Sequence, residues 1–219
     1  MTMRSFGDLS GHFKEPARGG NPSSFIMILH GWGADGADLA DLAMPIAMRF
    51  PGAAFFIPDA PDPCTMNPAG RQWFDIDDRV NGPVLAAPCI ETALAAARDA
   101  FDLPASATAL TGFSQGGMMA LHCGLHMDNA PAAIVSFSGA LLVHDKIQAA
   151  DDQTTHPEVL LVHGREDAVV PFALMAASAG ILEGKDISVQ TAARSGVGHG
   201  IDPDGLTIAI DFLATQLPQ

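Results

Sequence analysis

Five short runs dominate the hydropathy pattern of this chain: residues 25–29, 53–57, 108–111, 133–137 and 159–162. Most are apolar on successive residues, which suits strands buried on both faces of a parallel sheet. Residues 187–191 alternate instead, with Ile187, Val189 and Thr191 set against Ser188 and Gln190, the pattern of a more exposed strand near an edge. Between the runs lie segments of helical period. Leu39, Leu42, Ala43, Ile46 and Phe50 share a face, with Pro45 expected to shift or break that helix. Ile90, Leu94, Ala97 and Phe101 follow Pro88, read as a first-turn residue. Met118, Leu121, His122 and Leu125 form another stripe. Two more follow Pro171 and Pro203. Strand and helix alternate to the C-terminus, so the class is α/β with a mostly parallel sheet. Such sheets bind ligands at the carboxyl ends of their strands, and the loops after the strands are where chemistry is sought. Residues 1–23 carry no firm assignment.

A chain of 219 residues suits one domain, taken as residues 1–219. Its net charge of −14 repels phosphate backbones and anionic lipid headgroups, which argues against nucleic-acid binding and stable membrane association. The three cysteines are an odd number with no C-x-x-C, so a disulfide framework is not expected and a reducing compartment fits. Residues 1–10 lack an apolar signal core, and no apolar run approaches the roughly 18 residues of a membrane span. A soluble cytoplasmic protein is the expectation.

The loop after the third run is the most informative. Gly112-Phe113-Ser114-Gln115-Gly116 matches G-x-S-x-G between an apolar strand and a helix opening Gly117-Met118-Met119-Ala120. That context is the one a nucleophile elbow requires. A strand turning straight into a helix strains the middle residue, and small residues two positions either side let the chain pass. The serine hydroxyl then projects near the positive end of a helix.

A serine nucleophile needs a base, and the base an orienting acid. The required chain order is Ser, then Asp or Glu, then His. After the fifth run comes His163-Gly164-Arg165-Glu166-Asp167, offering Asp167 or Glu166 as the acid. After residues 187–191 comes Gly196-Val197-Gly198-His199-Gly200, offering His199 as the base. Two oxyanion donors are also needed, one from the residue after the nucleophile, Gln115, and one from the loop after the first run, His30-Gly31-Trp32-Gly33. A competing reading takes Gly31, Gly33 and Gly36, with Asp59 after the next strand, as a dinucleotide fingerprint. Asp35 would then lie where pyrophosphate sits, and Ser114, Asp167 and His199 would go unexplained.

Taken together, L-H-G-W-G (29–33), Q-W-F-D (72–75), G-F-S-Q-G-G (112–117), S-G (138–139), H-G-R-E-D-A-V-V-P (163–171) and G-V-G-H-G (196–200) resemble the phospholipase/carboxylesterase family of α/β hydrolases, which includes acyl-protein thioesterases. The resemblance runs over residues 25–217. It implies Ser114 as nucleophile, Asp167 rather than Glu166 as acid, His199 as base, and the N–H groups of Trp32 and Gln115 as oxyanion donors. Trp32 stands where many relatives carry a smaller aliphatic residue. The resemblance also implies an α/β-hydrolase fold and, since relatives commonly form dimers, a homodimer.

Residues 138–158 leave too little chain for the cap domain that many α/β hydrolases insert there, so the site should be shallow and open. The Pro-rich stretch 58–88 either borders the pocket or plugs the sheet edge. Trp73 and Phe74 from it, with Val169, are the candidate pocket residues. His122 and His126 have zinc-ligand spacing, but no acidic partner as in H-E-x-x-H, and are read as structural. His30 and His163 are read as loop scaffolding and Cys123 as a buried hydrophobe, while Cys64 lies in the Pro-rich loop, where a thiol could react, with no recognisable group nearby to activate it. The expected activity is that of a serine carboxylesterase acting on short-to-medium acyl esters, with acyl thioesterase or lysophospholipase as alternatives. It needs no cofactor and no metal. A catalytically silent binding module is the reading from a different class.

Overall fold

A computed structural model of the chain describes residues 1–150 and 156–218. In chain order the elements are β1 (Thr2–Phe6), β2 (Leu9–Lys14), β3 (Ser24–Leu29), α1 (Gly36–Ala40), α2 (Ala43–Arg49), β4 (Ala53–Pro58), β5 (Asp62–Pro63) and β6 (Arg71–Gln72). They continue with α3 (Gly82–Phe101), β7 (Thr108–Phe113), α4 (Gln115–His126), β8 (Ala133–Phe137), β9 (Glu158–Gly164), α5 (Ala173–Glu183), β10 (Val189–Arg194) and α6 (Pro203–Gln216). The main sheet has the order β1-β2-β4-β3-β7-β8-β9-β10. From β4 to β10 every pairing is parallel, while β1 and β2 join as an antiparallel hairpin on β4.

The sheet's two faces explain the continuous apolar runs. Along β3, Phe25, Met27 and Leu29 enter one core with residues of α3, α4 and α5. Ile26 and Ile28 enter the opposite core with residues of α1, α2 and α6. Both sets are fully buried, and each such side chain stabilises the fold by roughly 1.5–3 kcal/mol. β10 is the edge strand that its alternation predicts, although it begins two residues later than expected, at Val189.

Three elements differ from the sequence reading. Residues 1–23, left unassigned, hold the β1–β2 hairpin, whose Phe6 and Phe13 pack edge-to-face with each other and meet Phe101 of α3. The helix expected to begin at Pro88 begins at Gly82, with Pro83 in its first turn and Pro88 inside it. Pro88 deprives the Val84 carbonyl of its helical donor, and Val84 lies on an exposed part of the helix. The segment around Pro45 forms two short helices, broken at Asp41–Leu42, just ahead of the proline, which then sits in the first turn of α2. The connection from β8 to β9 has no helix among its described residues, and no large cap covers the sheet.

Candidate active site

β3, β7, β9 and β10 run parallel, so the loops that follow them gather at one end of the sheet. β7 ends at Phe113 and α4 begins at Gln115, leaving Ser114 alone in the turn with φ +53° and ψ −117°. A side chain rarely adopts this conformation, which costs on the order of 1–3 kcal/mol. The Ser114 N–H donates to the Phe137 carbonyl at 2.8 Å, which anchors the turn to β8. The glycines either side are required. A Cβ on Gly112 would lie 2.2 Å from the Gly116 oxygen, and one on Gly116 would lie 2.1 Å from the Leu29 oxygen.

Three side chains from three loops form one hydrogen-bonded row. His199 Nε2 lies 3.0 Å from Ser114 Oγ, and His199 Nδ1 lies 2.8 Å from Asp167 Oδ2. A carboxylate only accepts, so Nδ1 carries the proton and Nε2 of the neutral ring is free to accept from the hydroxyl. Asp167 is fully buried and its Oδ1 accepts from the N–H groups of Val169 and Val170 at 2.9 and 2.8 Å. Burial pushes its carboxyl up, but the hydrogen bonds from His199 and from the Val170 and Val169 N–H groups outweigh this and hold it below the usual carboxylate range. Glu166, the other acid in that loop, turns away and accepts from the Val197 N–H at 3.1 Å.

The loop after β3 packs directly on the elbow, since a Cβ on Gly31 would lie 3.4 Å from Ser114 Cβ. Trp32 follows Gly31 there. Gln115 is the first residue of α4, so its N–H has no partner within the helix. His30 is buried, donates from Nδ1 to the Gly31 carbonyl at 2.8 Å and accepts at Nε2 from the Ala60 N–H at 3.0 Å. Burial lowers its pKa, so the ring braces the loop as a neutral imidazole. His163 donates from Nε2 to the Val170 carbonyl at 2.8 Å, with Asp167 Oδ2 at 3.3 Å from the same nitrogen.

The pocket residues need revision. Trp73 is 1% exposed and Phe74 3%, so both belong to the core beneath the loops and present no wall to solvent. The Trp73 indole donates to the His30 carbonyl at 2.9 Å. Val169 is 68% exposed at the rim of the Asp167 loop. Cys64, whose loop position left reaction conceivable, is buried.

Several positioning residues escaped the sequence reading. The Gln115 amide accepts from the Trp73 N–H at 2.9 Å and donates to the Phe74 carbonyl at 2.8 Å, which staples the 60–75 loop to the elbow. Gln72 accepts from the Trp32 indole at 3.0 Å. Arg194, the last residue of β10, pairs with Asp202 at the start of α6 at 2.8 Å and closes the loop that carries His199. The sequence signal for this clasp was Asp202-Pro203, a capping acid before a first-turn proline.

The other motifs have structural explanations. Gly33 has φ +78°, Gly36 packs on the Ile57 carbonyl, and Asp59 accepts from the Gly36 N–H at 2.8 Å, ahead of a helix of only five residues. The glycines and the acid of the would-be dinucleotide fingerprint thus hold the loop to β4. His122 and His126 line a cavity of about 610 Å³ at the far end of α4, and none of its lining residues belongs to the row above. Among the described residues no group of three or more metal-ligating side chains is disposed to hold an ion. No helix among them is long and apolar enough to cross a membrane.

Comparison with known proteins places the chain in a family. Residues 17–217 match the family model described as Phospholipase/Carboxylesterase. Esterase YpfH of Escherichia coli (strain K12) is 27% identical over 201 residues, covering 89% of this chain and 83% of that protein. Acyl-protein thioesterase 1 of Schizosaccharomyces pombe is 30% identical over 174 residues, covering 73% of this chain and 77% of that protein. The crystal structure of esterase PE8 superposes with a TM-score of 0.88 at 35% identity, covering 95% of this chain and 99% of that one. The chain belongs to the phospholipase/carboxylesterase family and has the α/β-hydrolase fold of these carboxylic ester hydrolases.

Proposed function

We propose that the chain is a single-domain serine carboxylesterase, residues 1–219, in which Ser114 is the nucleophile, His199 the base and Asp167 its orienting acid. The observation that carries this reading is the row Asp167 Oδ2–His199–Ser114 Oγ, with both links at 3.0 Å or less. His199 Nε2 takes the hydroxyl proton as Oγ bonds to the ester carbonyl carbon. The carbonyl's electron pair moves to its oxygen, which the N–H groups of Trp32 and Gln115 receive. Collapse breaks the bond to the leaving oxygen, and His199 Nε2–H returns the proton to it as alcohol. Water then repeats the sequence on the acyl enzyme, releasing acid and free serine. Asp167 stays ionised throughout, in keeping with the hydrogen bonds that favour its charged form.

The missing cap leaves a shallow site, which favours short-to-medium acyl groups. The net charge of −14 favours soluble esters over a bilayer, and with three free cysteines it fits a cytoplasmic enzyme. Relatives named acyl-protein thioesterase favour thioesters as the second substrate class.

A fluorophosphonate followed by intact mass and peptide mapping tests the assignment. Stoichiometric labelling of Ser114, lost in His199→Ala, is expected, together with a fall in turnover of about 10⁴–10⁶ in Ser114→Ala. A folded protein that does not label would leave the binding module as the reading. Matched esters and thioesters graded from acetyl to palmitoyl then separate the substrate classes.

A further inference from the structure

The loop that carries His199 is rich in glycine and open around those glycines. A Cβ on Gly200 would meet nothing within 4 Å, and one on Gly198 only the Glu166 carbonyl oxygen at 3.7 Å. Gly196 has φ +76° and likewise opens on nothing. The imidazole is held at Nδ1 by Asp167 and at Nε2 by Ser114. Two points define an axis, and a ring held at two points can roll about it. The nitrogen bonding directions lie in the ring plane but off that axis, so a roll bends both hydrogen bonds at once, and such bonds weaken steeply when bent. A contact on the face of the ring is what prevents the roll.

Phe113 makes that contact. Its ring centroid lies 4.8 Å from that of His199, with the planes inclined at 42°. The same ring meets the loop after β3, where a Cβ on Gly31 would lie 3.3 Å from Phe113 Cδ1. One aromatic ring, fixed at the end of a central strand, therefore touches both the base and the loop that carries Trp32. When His199 takes the Ser114 proton, the imidazolium also lies within reach of an aromatic π system, which favours a cation.

We propose that Phe113 is a positioning residue that sets the plane of His199 against Ser114 and Asp167 and couples that plane to the loop carrying Trp32. The proposal rests on the catalytic roles argued above. It assigns a task to the first variable position of G-x-S-x-G that the motif itself leaves open.

Phe113→Leu, Phe113→Tyr and the wild type are compared for kcat and KM on a soluble p-nitrophenyl ester, for the rate of fluorophosphonate labelling at Ser114, and for the side-chain NMR resonances of His199. Leucine fills much of the space but has no flat face; tyrosine keeps the ring. Phe113→Leu is expected to lower kcat and the labelling rate by up to about 10²-fold with KM little changed, the scale of a small misplacement of reacting groups. The ring-current shift on His199 should vanish with it, and Phe113→Tyr should restore both. Wild-type kcat in Phe113→Leu overturns the proposal, as does equal loss in Phe113→Tyr with an unchanged melting temperature. Failure of the wild type to label while the ring-current shift is present overturns the triad itself. Labelling of the wild type with no effect of Phe113→Leu overturns only the role of Phe113.

Discussion

The Trp73 indole N–H donates to the His30 carbonyl oxygen at 2.9 Å, and the two rings lie with centroids 5.3 Å apart. A residue whose position beside the site suggests a pocket wall is thereby a brace for the loop that carries Trp32. Trp73→Phe keeps most of the volume but leaves that carbonyl buried and unpaired, which costs about 1–3 kcal/mol. Urea unfolding should show the loss as a lower midpoint at unchanged slope, with slower fluorophosphonate labelling of Ser114. An unchanged midpoint would mean that the Gln115 staple holds the loop without it.

The elbow tolerates no side chain at Gly116, where a Cβ would lie 2.1 Å from the Leu29 oxygen and 2.4 Å from its carbonyl carbon. Gly116→Ala must displace the end of β3 or the start of α4, so stability and Ser114 labelling should fall together. Gly180, inside α5, is the control, because a Cβ there meets nothing within 4 Å. Gly180→Ala should raise stability by about 0.5–1 kcal/mol. Equal responses of the two variants in thermal unfolding would contradict the packing argument.

Asp167→Asn keeps the shape of the acid and removes its charge. The imidazole then loses the partner that selects its tautomer, and kcat should fall by about 10³–10⁴. Stability should respond in acid as well. The folded carboxyl sits below its ordinary value, so its contribution is full above that value and is lost as pH falls through the folded one. The variant should therefore show a flatter acid limb in its melting temperature than the wild type. A steeper limb would be the wrong sign.

His122 makes a prediction with no bearing on catalysis. Burial, then the charge of neighbouring His126, lowers its pKa to about 4 from an ordinary 6.5. Between those values the unfolded chain binds a proton that the native protein does not, so stability falls as pH falls across that interval. His122→Gln cannot titrate, and its melting temperature should lose less over the same interval. An identical pH profile for variant and wild type would remove His122 as a contributor.

Periodicity along the chain was sufficient for the class of fold and for most of the sheet. Strands buried on both faces must be apolar at successive positions, and that is a local property of residues 25–29 or 133–137. The same logic missed β1 and β2, because β1 buries only its last residue, β2 alternates and contains Gly11, and the pair sits toward an edge of the sheet. It also set the start of α3 at the wrong proline, because a first-turn proline and an interior proline look alike until the packing on either side is known.

The sequence by itself determined the elbow and the chain order of the candidate residues, because strand, turn and helix are adjacent in the chain and their sterics admit few residue types. Spacing alone left Glu166 and Asp167 both open and the family resemblance favoured Asp167, but only the tertiary structure shows which of the two reaches His199. They are neighbours with the same chemistry, and what separates them is that one side chain bonds the Val197 N–H and the other reaches His199, 32 residues away. The tertiary structure likewise turned Trp73 and Phe74 inward and brought Phe113 against His199. Such contacts depend on strand register and loop closure across the whole sheet, and no window along the chain contains both partners.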